Sequence, residues 1–309
     1  MGIGPNAMDG LMREAARSPF SGTCYTLGRS FMGMRPDQVS ERFKHHGLTA
    51  HDVIDERTID RTTEAASRYN YTTISDVGFF RALGFQSVKA IDISDAEGAE
   101  ILLDLNEDVS TELAGTCDLL VDGSLLDNVF DPIRALRNAV RLLKPDGRAC
   151  FCVEANYVPE VSGTPYLMIT PIWFYDFFVV NKFAECSIYA TIWTPPENRQ
   201  TTYMLNHEHA TRKWGGGKMK PIASDFQLTL TVFARRDASS TFNTTPQQHV
   251  YRSEDEWRTY EEIVQRFANV GVKPHIHSVA PMIQHRVPPG WNIVLPDGSL
   301  LNPETGERL

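Results

Sequence analysis

With 309 residues, 42% apolar and 22% charged side chains and a formal charge of −9, the chain has the makeup of an ordinary globular protein. That balance excludes disorder and wide, nonspecific nucleic-acid binding. The longest apolar stretch, PIWFYDFFVV, is broken by Asp176 well short of the roughly 20 residues a bilayer span needs.

From the N-terminus, NAMDGLMREAARS places Met8, Leu11, Met12 and Ala15 at helical spacing. TCYTLGRS alternates into Gly28 and predicts a first strand ending in a tight turn. PDQVSERFKHHG opens on Pro36 and closes on Gly47, which predicts a helix. The polar stretch His51–Thr73 reads as an inserted, lid-like segment spanning about 48–74. Ser75 and Asp76 then cap a helix over VGFFRALG.

A regular rhythm follows. SVKAIDIS, AEILLDLNE and CDLLVDGS predict the second, third and fourth strands. DPIRALRNAVRLLKPDGR, with Asp131 as cap and Pro132 at the first helical position, predicts a helix, and RACFCVEA predicts the fifth strand. Continuous apolar strands alternating with helices indicate a mainly parallel sheet covered on both faces.

The second half reads as an aromatic helix (TPIWFYDFFVVNKF), two long strands (CSIYATIW and FQLTLTVFARR), a long loop near 194–224 between them, a capped amphipathic helix (SEDEWRTYEEIVQRFANVG) and a Pro-rich tail with a hairpin at PDG. Residues 1–240 are expected to form one α/β domain, with 241–309 packing on it. No basic-then-apolar leader opens the chain, so a cytoplasmic protein is expected. The five cysteines form no CxxC pair and read as free thiols, and no metal site is expected.

In an open α/β sheet, ligands sit beyond the carboxyl ends of the strands. That rule selects Gly28 and Arg29 after the first strand, Asp92 and Ile93 after the second, Asp104 and Leu105 after the third, Asp122, Gly123 and Ser124 after the fourth, and Glu154 to Tyr157 after the fifth. A carboxylate ending the second strand suits the two hydroxyls of an adenosine ribose. The absence of G-x-G-x-x-G after the first strand disfavours a dinucleotide, because no loop cradles a pyrophosphate.

The stretch SDVGFFRALGFQSVKAIDISDAEGAEILLDLNE, followed by CDLLVDGSLLDNVFDPIRALRNAVRLLKPDGR, resembles the class I S-adenosylmethionine-dependent methyltransferases. The resemblance implies a Rossmann-like seven-stranded sheet of order 3-2-1-4-5-7-6, with helices on both faces. FQLTLTVFARR would be its antiparallel seventh strand. It implies S-adenosylmethionine as cofactor, with Asp92 and Ile93 at the ribose, Asp104 and Leu105 at the adenine, Gly28 and Arg29 at the methionine end, and Asp122, Gly123 and Ser124 as the other wall. The first motif stands as YTLGRS where the family's common form is D-x-G-x-G-x-G. In the fourth-strand motif LDNV replaces LEHV, so no histidine base stands there.

The implied reaction is transfer of a methyl group to an O or N of a small molecule, as in sugar or secondary metabolism, with neither nucleic acid nor membrane as partner. Asp127, Glu154 and Tyr157 are the candidate catalytic groups, needed only where the acceptor must lose a proton. Tyr166 and Trp173, with His207 and His209 of NHEHA, are candidates for the acceptor side. The alternative is a methyltransferase-like protein that lacks transfer or uses the fold for binding or another reaction.

Overall fold

The apolar runs of the first half pair in parallel because each is flanked by chain that crosses back over the sheet. The computed structural model describes residues 2–69, 72–156, 166–194, 199–205, 227–270, 291–295, 299–302 and 305–309. By contacts the chain divides into two compact units, Met1–Val153 and Glu154–Leu309. The first holds β1 (Gly2–Ile3), α1 (Pro5–Arg17), β2 (Thr23–Leu27), β3 (Phe31–Met32), α2 (Pro36–His45), α3 (Glu64–Tyr69), α4 (Asp76–Ala82), β4 (Ser87–Asp92), β5 (Ile101–Leu102), β6 (Cys117–Gly123), α5 (Pro132–Arg141) and most of β7 (Leu143–Asn156).

Its sheet runs β5-β4-β2-β6-β7, every neighbouring pair parallel. Counting β2 as the first core strand, that is the order 3-2-1-4-5 of a Rossmann-like fold, as expected. Cys24, Leu27, Ala90, Ile91, Leu120 and Val121 are fully buried along the central strands, and Met8, Leu11 and Met12 of α1 and Leu136 and Val140 of α5 are buried with them. α4 packs against β4. The caps are those its sequence offers: Ser75 Oγ accepts from Gly78 N, and the Asp131 carboxylate accepts from Arg134 N.

Three elements differ from the sequence reading. The third strand shrinks to Ile101–Leu102, although Leu103 N still donates to Asp92 O at 2.8 Å. α5 stops at Arg141, not at the KPDG turn, and β7 starts at Leu143. The ladder to β6 then slips between Cys117 and Leu119, looping out Lys144–Gly147 with Asp146 at φ 63°. The polar stretch 51–73 holds a 3-10 turn at Glu56–Thr58 and α3, with Asp60, Thr63 and Ala66 buried. Short polar elements of this kind carry too little apolar periodicity to be read from sequence.

The second unit holds α6 (Pro171–Val180), β8 (Glu185–Thr194), β9 (Arg199–Leu205), β10 (Gln227–Arg235), α7 (Glu254–Val270), β11 (Trp291–Val294) and β12 (Leu300–Leu301). Its antiparallel order is β12-β11-β9-β8-β10. The expected sixth and seventh strands are β8 and β10, paired from Gln227↔Trp193 to Arg235↔Glu185. α7 packs on α6 and β8, so the C-terminal helix groups by contact with residues after 153, whereas the sequence reading places it beside a domain of 1–240. No described helix is long and apolar enough to cross a membrane.

Candidate functional site

Beyond the carboxyl ends of β2, β4 and β5, the chain brings two half-buried carboxylates and exposed apolar side chains together. β2 ends in Gly28, whose φ of 71° lies in the left-handed region and whose N donates to Ile91 O at 2.7 Å. That turn ties the end of β2 to the end of β4. A side chain there would meet the usual left-handed penalty of about 1–2 kcal/mol.

Asp92 closes β4, opposite Leu102 in the ladder. One of its oxygens accepts from Ser94 N at 3.3 Å, and the other has no donor among the described residues. Ile93 beside it is 71% exposed. Two residues past Leu102, one oxygen of Asp104 accepts from Asn106 N and Nδ2 at 2.8 and 2.9 Å, and its other oxygen likewise has no donor among the described residues. Leu105 is buried, and its carbonyl is held by Asn138 Nδ2 of α5 at 2.8 Å. Asp131 N donates to Asn106 Oδ1, which brings the segment before α5 next to Asp104. That segment carries Phe130, 88% exposed, an aromatic that the sequence reading missed. Its signal was a lone aromatic between Val129 and the Asp131 cap, outside any periodic pattern.

This donor set fits the nucleoside part of S-adenosylmethionine. Among the described residues each carboxylate has one oxygen without a donor, open to a hydroxyl or amino group, and large exposed apolar groups such as Ile93 and Phe130 suit a flat ring.

Arg29 has a different environment from the one expected of a residue at the methionine end. Its side chain is only 7% exposed. Nη2 donates to Glu100 Oε1 at 2.5 Å and to Gly98 O at 3.2 Å, and Nη1 lies 3.5 Å from Asp76 Oδ2. Burial pushes the Asp76 carboxyl up from its ordinary value, and the Arg29 charge with the Ser30 and Val77 N–H groups opposes that shift. Asp76 and Glu100 are the partners that sequence reasoning passed over. Asp76 reads as a helix-start residue, and Glu100 as part of the predicted third strand AEILLDLNE.

After β6 the chain folds on itself. Asp122 is fully buried and accepts from Leu125 N at 2.6 Å and Leu126 N at 3.1 Å. Burial pushes its pKa up to about 7; the Leu125 and Leu126 N–H groups oppose that rise, and the Asp127 charge adds to it. Gly123 is closed in by Ser30 and Ile3, so a Cβ there would meet Ser30 Oγ at 2.8 Å. Ser124, at φ 77°, donates its hydroxyl to both oxygens of Asp127 at 2.9 Å, and Asn128 Nδ2 donates to Ser124 O. Of the expected wall, Asp122 and Gly123 therefore lie beneath the surface, and Ser124 alone is part-exposed. Asp127, also fully buried, holds this turn.

In the second unit Glu154 is part-buried near the end of β7, Trp173 is part-buried on α6, and Tyr166 is 70% exposed before it. Phe174, Tyr175, Phe177 and Phe178 are core. Tyr157, His207 and His209 lie outside the described residues.

No family model matches this sequence, and no curated protein matches it. Among solved structures, the chain is similar to an S-adenosylmethionine-dependent methyltransferase from Thermotoga maritima, at 9% identity over 75% of this chain and 89% of that one, with a TM-score of 0.37. It is also similar to phosphoethanolamine N-methyltransferase 2 of Haemonchus contortus, solved with phosphomonomethylethanolamine and S-adenosylhomocysteine. There the identity is 12% over 76% of this chain and 53% of that one, with a TM-score of 0.37. A Methanococcus maripaludis protein assigned to the same methyltransferases matches at 14% identity and a TM-score of 0.28, over 48% of this chain. The match spans about half, 55%, of that protein's length.

Proposed function

We propose that the protein is an S-adenosylmethionine-dependent methyltransferase acting on an O or N of a small molecule. The observation that carries the reading is the pair Asp92 and Asp104, at the ends of adjacent parallel strands in a 3-2-1-4-5 sheet, each with one carboxylate oxygen free of protein donors among the described residues. Asp92 accepts from the ribose hydroxyls, Asp104 accepts from the adenine amino group, and Ile93 supports the ring.

When bound, the cofactor supplies a sulfonium methyl group to an acceptor lone pair. The chain's own contribution is orientation and exclusion of water, which supply much of the rate in such a displacement. Asp127 is turned inward onto Ser124, so where a proton must leave the acceptor, Glu154 and Tyr157 remain the candidates. The net charge of −9 supports a small-molecule acceptor over a nucleic acid.

The test is calorimetric titration with S-adenosylmethionine and S-adenosylhomocysteine. Micromolar binding that Asp92→Ala weakens more than about tenfold, some 1.4 kcal/mol, supports the reading, and the absence of binding to the folded wild type refutes it. Binding without transfer to any acceptor class favours the second reading, a methyltransferase-like binding protein.

A further inference from the structure

Arg29 sits where a glycine-rich cofactor loop would be most open, yet its guanidinium is turned into the protein. It joins three segments of the first unit: the turn after β2 that carries it, the start of α4 through Asp76, and the segment between β4 and β5 through Gly98 O and Glu100. Asp76 ties back to the same turn, since its Oδ2 accepts from Ser30 N at 3.3 Å. Glu100 is fixed from the other side, its Oε2 accepting from Ala90 N of β4 at 2.7 Å and its N donating to Ala90 O at 3.1 Å. The segment so pinned, 93–100, leaves β4 directly after Asp92 and carries Ile93.

We infer that Arg29 is a positioning residue for the nucleoside half of the site: through Glu100 and Gly98 it fixes the path of 93–100, and with it Asp92 and Ile93, instead of meeting a ligand carboxylate. The inference rests on the cofactor reading above and deepens it. A buried guanidinium with two carboxylate partners is an expensive arrangement to leave half-made, because removing one partner leaves a buried charge uncompensated. Its partners all belong to the protein. A loop lacking the usual glycines is thereby held in place by a side-chain brace.

Two ligands separate bracing from contact. 5′-Methylthioadenosine has the adenine and ribose of S-adenosylmethionine but lacks the amino-acid carboxylate. Calorimetric affinities for both are measured with the wild type, Arg29→Ala, Arg29→Lys and Glu100→Gln, alongside amide hydrogen exchange of 93–100. Bracing predicts that Arg29→Ala weakens both ligands by the same factor, tenfold or more, and speeds exchange in 93–100. It also predicts that Glu100→Gln, which removes the partner charge, weakens both ligands in parallel, and that Arg29→Lys restores part of the loss. A tenfold loss for S-adenosylmethionine with 5′-methylthioadenosine unchanged overturns the inference and assigns Arg29 to the carboxylate. Unchanged affinities for both ligands in the folded variants overturn it too. If Arg29→Ala does not fold, Glu100→Gln and Arg29→Lys carry the same comparison. A wild type that binds neither ligand overturns the cofactor reading itself, and the brace as a device for that cofactor falls with it.

Discussion

Replacing Asp122 by Asn should flatten a pH dependence that this one carboxyl imposes on stability. Asp122 has no exposed surface, accepts two backbone N–H bonds, has the Asp127 carboxylate nearby and is pushed up to about 7. An unfolded-chain aspartate titrates near 3.9. The folded state therefore binds the proton more tightly across that interval, so its contribution to stability is fully present below about pH 4 and is lost as pH rises through about 7. A displacement of about 3 units at 1.36 kcal/mol each gives an upper bound near 4 kcal/mol. Urea unfolding of wild type and Asp122→Asn at half-unit steps from pH 4 to 8.5 reads it in the difference, where titrations not coupled to Asp122 cancel. The wild type should lose about 2–4 kcal/mol relative to the variant between pH 4 and 7.5, with no further change above. A difference that is flat, or that grows in the wild type's favour with rising pH, would show that the N–H bonds outweigh burial.

Two further substitutions test how the site is held. Gly28→Ala forces a Cβ into φ 71° and should cost about 1–2 kcal/mol, read as a lower urea midpoint with an unchanged slope. Asn138→Ala removes the amide that holds both Leu105 O at 2.8 Å and Glu107 O at 2.6 Å. With two buried or part-buried carbonyls left unpaired the loss should be about 2–3 kcal/mol, and hydrogen exchange should rise in 104–108 before it rises in the central strands.

The parts of the first unit legible in the sequence are those where one physical demand acts alone. β2 is read from its alternation into Gly28 and β4 and β6 from their apolar runs, while α1 is read from spacing and α5 from its Asp131 cap and Pro132, because a helix on a sheet shows its buried stripe directly. Asp92 and Asp104 are legible for a related reason: a carboxylate where an apolar strand stops has no packing role to explain it. Among the described residues each has one oxygen without a donor. Arg29 was legible as a residue of the site but not in its orientation, because that is decided by Asp76 and Glu100, 47 and 71 positions further along. Neither partner stands out by composition or period. The same holds for the turn at 122–128, where Asp122, Gly123 and Ser124 read as a wall of the cofactor site and Asp127 as a candidate catalytic group. Backbone N–H groups of Leu125 and Leu126 draw Asp122 inward, and Ser124 and Asn128 do the same to Asp127. A polar side chain points outward by default only when no local donor competes for it. Here the donors lie one to four residues away in sequence, so the pattern D-x-x-L-L-D-N is better read as a self-capped turn than as a row of ligands.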